Sequence, residues 1–189
     1  IDNNGIISAQ AGAADADVAR FARDYERAGL EFLLGIPGTI GGGIKMNSGA
    51  FGTEFKDVLI DATAINNSGE LKVFSNNELK MDYRKIGISD EWIFYKARFR
   101  SWCDNRKNIE NKMKKILNLR KTTQPTGIKP GGSTFKNPIG HKAWKLIDKA
   151  GCRGLKIGDA IISDKHCNFI INLKNSSAEQ IEELGKRVK

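Results

Sequence analysis

The sequence predicts an α+β protein, and three observations predict it: an early helical apolar period, strand-like alternation at two places before residue 100, and a return to helical periods after it. Over residues 14–28, Val18, Phe21, Ala22 and Tyr25 recur at spacings of three and four, Asp15 and Asp17 occupy the first turn, and Gly29 follows. That pattern is an amphipathic helix with its ends marked. The apolar run 30–34 is a strand or a helix-capping turn. In the stretch 35–52 seven of eighteen residues are Gly, so no regular element is expected there.

Residues 56–65 alternate Val58, Ile60, Ala62 and Ala64, and Asn66-Asn67-Ser68-Gly69 turns the chain into a second strand over 70–74. Another alternating run covers 93–100, with Ile93, Tyr95, Ala97 and Phe99 expected on one face. From 104 to 122 a basic amphipathic helix carries the stripe Ile109, Met113, Ile116 and Leu117, and Gln124-Pro125 stops it. A loop through Gly127, Pro130, Gly131 and Gly132 follows, then a strand at 133–136, a helix at 142–150 closed by Gly151, and an apolar strand at 168–172. A last helix begins at a Ser176-x-x-Glu179 capping box and turns Ile181, Leu184 and Val188 inward. The change of pattern near 102–105 divides the chain into domains 1–102 and 103–189.

Composition narrows the partners. The chain has 189 residues, 40% of them hydrophobic, and 31 Lys+Arg against 22 Asp+Glu leave a formal charge of +9. That excess points to an anionic partner: nucleic acid, a membrane surface or a phosphorylated ligand. No apolar stretch reaches the roughly 20 residues of a membrane span. The opening Ile1-Asp2-Asn3-Asn4-Gly5 has no basic or apolar leader and reads as the inside of a longer protein. Cys103, Cys152 and Cys167 share no C-x-x-C spacing, which argues against a disulfide framework and a zinc knuckle and for reduced thiols in a cytosol.

Four segments hold the residue types that do chemistry. In Gly35-Ile36-Pro37-Gly38-Thr39-Ile40-Gly41-Gly42-Gly43 and the following Asn47-Ser48-Gly49-Ala50-Phe51-Gly52, glycines free the backbone N–H groups to converge on a phosphate. Neither a dinucleotide fingerprint nor a P-loop is present, so a flexible structural loop and a phosphate cradle remain equally open on composition alone. Tyr83-Arg84 offers a fixed cationic fork, although a lone Arg is usually a solvated surface residue. In Gly131-Gly132-Ser133-Thr134-Phe135-Lys136-Asn137-Pro138, Ser133 has no nucleophile elbow, and as a proton donor it would need no triad; the simpler reading is a turn and strand edge. Ser163-Asp164-Lys165-His166-Cys167-Asn168 precedes an apolar strand, where adjacent His166 and Cys167 point apart and so form no dyad.

In their order and spacing these four segments resemble the UDP-N-acetylenolpyruvoylglucosamine reductase family, in its compact type, over essentially the whole chain. The resemblance implies the second part of a vanillyl-alcohol-oxidase-like FAD-binding domain, followed by a smaller α+β substrate-binding domain. It implies a cytoplasmic, monomeric bacterial flavoenzyme of peptidoglycan precursor synthesis, with bound FAD, NADPH as co-substrate and a UDP-sugar enolpyruvyl ether as substrate, and without metal, nucleic acid or membrane span. By the same resemblance Gly35, Ile36, Pro37, Gly38, Thr39, Gly41, Gly42, Gly43, Asn47, Gly49 and Ala50 contact FAD. Arg84 and Ser133 are catalytic, and Tyr83, Lys136 and Asn137 lie near the substrate. The family's first FAD-binding turn would lie before Ile1 and its active-site Glu beyond Lys189. The alternative from a different class is a non-catalytic basic module for nucleic acid or another polyanion, carried by the charge and the basic helix.

Overall fold

The computed structural model describes residues 1–125 and 132–189, and the chain forms two compact units, Ile1–Asn118 and Leu119–Lys189. The loop positions Gly127, Pro130 and Gly131 lie outside the described residues.

The first unit opens with β1 (Ile7–Gln10), α1 (Asp15–Asp24), β2 (Arg27–Ala28) and a 3-10 turn over Glu31–Gly35. Helix α1 stops short of residue 28 because Arg27 and Ala28 are extended to pair with Cys103 and Trp102. Next come α2 (Ile40–Lys45), the hairpin of β3 (Gly49–Ala50) and β4 (Thr53–Glu54), and α3 (Phe55–Val58). The unit continues with β5 (Leu59–Ile65), β6 (Leu71–Ser75), α4 (Asn76–Leu79), β7 (Ile93–Phe99) and β8 (Trp102–Cys103), and α5 (Arg106–Thr123) runs on past its end. Strands β1-β7-β5-β6 make an antiparallel sheet in that order. The expected β5–β6 hairpin is present, its turn fixed by Asn66 Oδ1, which accepts from the Ser68 and Glu70 N–H groups.

Strand β7 departs from strict alternation. Its register against β5 slips between the Thr63–Lys96 and Ala64–Phe94 pairs, so Tyr95 is the extra residue of a bulge. The slip turns Phe94 inward beside Ala97 and Phe99, while Ile93 and Tyr95, expected inside, are 63% and 55% exposed. The core below the sheet centres on Leu30, Leu33, Ile40, Ile44, Phe55 and Phe99.

The glycine-rich stretch contains a helix after all. Six residues are too few for intrinsic propensity to decide, and tertiary contacts hold α2: the Gly41 N–H donates to Ala11 O at 2.9 Å and the Ile40 N–H to Ala13 O at 3.0 Å. The units also divide within α5 rather than at 102/103. Strand β8 belongs to the first unit through β2, and the early turns of α5 bury Ile109 and Met113 in the first core; Leu117, expected on the same stripe, is exposed.

The second unit holds α6 (Ala143–Lys149), the small antiparallel sheet β9 (Lys156–Ile157), β10 (Ala160–Ile162) and β11 (Ile170–Asn172) in the order β11-β10-β9, and α7 (Ala178–Val188). Gly151, at φ +74°, closes α6 as expected. Helix α7 is capped one residue later than its sequence suggests, by Ser177 and Gln180, and it buries Leu184 while Ile181 stays exposed. The core is Ala143, Ile147, Ala160, Ile162, Cys167 and Leu184. No strand forms at 133–136, so the face alternation expected for Ser133 and Phe135 does not apply. Among the described residues, no helix is long and apolar enough to cross a membrane.

Candidate active site

In the first unit, the glycine stretch and the turn of the Tyr83-Arg84 pair are brought together by one side chain. Asn47, at the end of α2, is 4% exposed. Its Nδ2 donates to Glu54 Oε2 at 2.8 Å and to Asp82 O at 3.4 Å, and its Oδ1 accepts from the Lys56 N–H at 3.0 Å. Asn47 thus clasps the glycine loop, the β3–β4 hairpin and the turn that carries Arg84, a role additional to the cofactor contact that the resemblance implies.

That turn is closed locally. The Asp82 N–H donates to Lys85 O at 3.0 Å and the Lys85 N–H to Asp82 O at 3.2 Å, with an Asp82–Lys85 ion pair across it at 3.1 Å. Hydrogen bonding from the Tyr83 N–H and the nearby Lys85 ammonium hold the Asp82 carboxyl below the usual range. Arg84 itself sits at φ +53°, with its guanidinium 5.8 Å from the Tyr83 ring centre. Asn47 and Phe51 also have positive φ, at 40° and 56°. A non-glycine residue held there costs on the order of 1 kcal/mol or more, and such strain concentrates at functional sites.

The loop glycines divide by what a side chain would meet. A Cβ at Gly35 would lie 2.6 Å from the Phe51 ring, at Gly41 2.9 Å from Ala11 Cβ, at Gly43 2.2 Å from the Phe55 ring and at Gly49 3.0 Å from Thr53 O. Packing accounts for those four. At Gly42 the nearest atom would be Thr39 Oγ1 at 3.7 Å, an ordinary contact. Gly42 is exposed, as are Pro37, Gly38 and Thr39, so this edge of the loop shows solvent a backbone that long side chains do not cover. A glycine inside a helix that packing does not need suggests close approach by something else. Gly43→Ala is therefore expected to destabilise the unit by about 1–3 kcal/mol through overpacking of Phe55. Gly42→Ala should be neutral or stabilising by up to about 1 kcal/mol while weakening any ligand held there. Thermal midpoints and a ligand titration of the two variants check the pair.

Beneath the same loop lies a group that the sequence did not single out. Asp15, which reads as an ordinary first-turn acid of α1, is fully buried, and neither carboxylate oxygen has a hydrogen-bond partner. Its Oδ2 lies 3.1 Å from the point a Gly38 Cβ would occupy. Burial pushes its pKa up to about 7.

In the second unit Ser133, Lys136 and Asn137 lie on a non-strand segment, Ser133 and Lys136 exposed and Asn137 half-buried. Asn137 Oδ1 accepts from the Ala143 N–H at the start of α6, at 2.9 Å. Asn168, 4% exposed, meets the segment from the other side: the Thr134 N–H donates to Asn168 O at 2.8 Å, the Phe135 N–H to Asn168 Oδ1 at 2.8 Å, and Asn168 Nδ2 to Phe135 O at 2.9 Å. The sequence signal for Asn168 is faint, a polar residue at the foot of an apolar strand. His166 and Cys167 lie before β11 and not in a strand, so the expected alternation does not apply to them, and they meet different partners. The His166 ring packs against Phe169 and Trp144, with its pKa lowered by burial, and the buried Cys167 thiol, pushed up by burial, faces Asp148. On α5, Arg106 pairs with Asp24 and Glu110, and Lys112 with Glu31 and Asp104, so part of the helix's basic charge is neutralised within the fold.

Comparison with known proteins matches residues 1–75 to an FAD binding domain and residues 124–189 to the C-terminal domain of UDP-N-acetylenolpyruvoylglucosamine reductase. The crystal structure of UDP-N-acetylenolpyruvylglucosamine reductase from Thermus caldophilus superposes with a TM-score of 0.90 at 36% identity, covering 100% of this chain and 69% of that one. The chain belongs to the UDP-N-acetylenolpyruvoylglucosamine reductase family. Reductases of that name from Bradyrhizobium sp. (strain ORS 278) and Paramagnetospirillum magneticum (strain ATCC 700264 / AMB-1) are 50% and 48% identical to it over 97% of its length. The chain spans about three-fifths of the length of these curated relatives, 60% of each. Membership of the reductase family agrees with the expected α+β fold and with an FAD-binding part preceding the family's C-terminal domain.

Proposed function

We propose that this chain is the larger part of a monomeric cytoplasmic enzyme that uses FAD and NADPH to reduce UDP-N-acetylglucosamine enolpyruvate to UDP-N-acetylmuramate. The observation that carries the reading is Gly42, an exposed helical glycine that packing does not require, in a loop matched to an FAD-binding domain. Gly38, Thr39 and Gly42 offer an uncovered backbone edge along which the FAD diphosphate can lie, and Gly35, Ile36, Pro37, Gly41, Gly43, Asn47, Gly49 and Ala50 shape and hold that edge. The exposed edge and the clasp at Asn47 fit such a cofactor.

FAD, when bound, would supply hydride chemistry, with NADPH as the reductant and the methylene carbon of the enolpyruvyl ether as the acceptor. Reduction there would place negative charge on the neighbouring carbon and its carboxylate. Arg84 answers that charge with a guanidinium fixed on a closed turn. Tyr83, Lys136 and Asn137 orient the substrate, and the Ser133 hydroxyl donates the proton that completes the product.

The test uses the full-length protein loaded with FAD, following each half-reaction by flavin absorbance. Ser133→Ala is expected to leave reduction by NADPH within about twofold and to slow reoxidation by the enolpyruvyl substrate by about 10²-fold or more. Equal loss in both half-reactions would remove the role given to Ser133. Failure to form a flavin complex would remove the reading itself.

A further inference from the structure

A segment without strand partners must get its rigidity elsewhere, and the segment of Ser133 gets it from Asn168. The Asn168 side-chain amide presents one acceptor and one donor to the Phe135 backbone, as a neighbouring strand would, while its main-chain carbonyl takes the Thr134 N–H. Asn168 is almost wholly buried at the foot of β11, and its neighbours Cys167 and Phe169 are buried with it, so it is anchored in the core of the second unit. On the far side of the same segment Asn137 is tied to the start of α6. Burying an amide costs free energy unless its hydrogen bonds are made, and here they are spent on the Phe135 backbone, two residues after Ser133.

We infer that Asn168 is a positioning residue for Ser133, holding the Thr134–Phe135 backbone so that the Ser133 hydroxyl keeps the place from which it donates its proton. The inference rests on the proposed role of Ser133. Proton transfer is steep in geometry: a misplacement of about 1 Å can cost on the order of 10²-fold in rate. Asn168 touches no reacting atom in this scheme and acts only through the segment that it holds.

The test compares Asn168→Leu, which removes both side-chain hydrogen bonds, with Asn168→Asp, which keeps the acceptor for the Phe135 N–H and loses the donor to Phe135 O. In the FAD-loaded full-length protein, both are expected to leave reduction by NADPH within about twofold. Reoxidation by substrate should slow by about 10- to 100-fold for Leu and by less for Asp. In a Ser133→Ala background, Asn168→Leu should add less than about threefold, because the two residues act on one step. Amide exchange gives a readout independent of turnover: the Phe135 N–H should exchange at least about tenfold faster in Asn168→Leu while the Ile147 N–H of α6 keeps its protection. If Asn168→Leu loses protection at Ile147 as well, the unit has been damaged and Asn168→Asp decides. Multiplicative losses in the double variant, or unchanged reoxidation in Asn168→Asp alongside faster Phe135 exchange, would overturn the inference. Unchanged reoxidation in Ser133→Ala alone would instead locate the failure in the role of Ser133, and the inference would fall with it.

Discussion

Asp15→Asn is expected to make the first unit more stable than the natural sequence by about 4 kcal/mol at pH 8, and by little at pH 4. The natural carboxyl has a pKa of about 7 in the fold against 3.8 for a free side chain. Between those values the unfolded chain has released a proton that the folded chain still holds, so stability falls as pH rises. The slope is about 1.4 kcal/mol per pH unit, and the loss is complete once the pH passes the folded value. Asn cannot ionise and carries none of this slope.

Among the described residues, burial is the cause of the shift and no neighbouring charge offsets it. The segment before Asp15 is Ala11-Gly12-Ala13-Ala14, and the loop above it, from Ile36 to Ile40, is uncharged. Asp17 pairs with Arg20 on the exposed side of α1, Glu31 of the 3-10 turn pairs with Lys112, and Lys45 of α2 pairs with Asp90. Guanidinium unfolding of the two proteins across about pH 4–8 checks the prediction. The difference between them should widen with pH and level off above about 7; a constant difference would mean that Asp15 is not held protonated.

Replacement of Arg84 should separate stability from turnover. Arg84→Ala is expected to slow reoxidation of the bound flavin by substrate by about 10²–10³-fold, the usual loss when one fixed group facing a developing negative charge is removed. Arg84→Lys should recover part of that loss, since it restores charge without the planar fork. Arg84→Gly should be as slow as Ala yet melt no lower than the natural protein, because glycine adopts the φ of +53° without a Cβ penalty. Stopped-flow reoxidation and thermal midpoints on the same samples check both halves. An Arg84→Gly protein that melts well below the natural one would show that Arg84 supports the turn more than the chemistry.

Elements with a long period were legible in the chain itself. The amphipathic stretch of α1, the β5–β6 hairpin and the capped α7 follow from spacing and turn residues, with ends displaced by a few positions where tertiary pairing intervenes, as at Arg27 and Ala28. Short elements were not legible. Helix α2 and the bulge at Tyr95 depend on contacts with Ala11, Ala13 and β5 that are remote in sequence. The segment of Ser133 looks like a strand by composition, but Asn168, far along the chain, supplies hydrogen bonds that a strand partner would otherwise make.

The sequence by itself determined the α+β class, the order of the chemical segments and, through those segments, the family, because each is written in local residue types and spacings. Only the tertiary structure decided which loop glycines are demanded by packing, that Asp15 is buried without a partner, that Asn47 joins the glycine loop to the turn of Arg84, and that the chain divides within α5. The physical reason is common to all four. Periodicity reports which face of an element is apolar, whereas desolvation, close approach and hydrogen-bond pairing are set by what comes to lie opposite, and distant parts of the chain supply it.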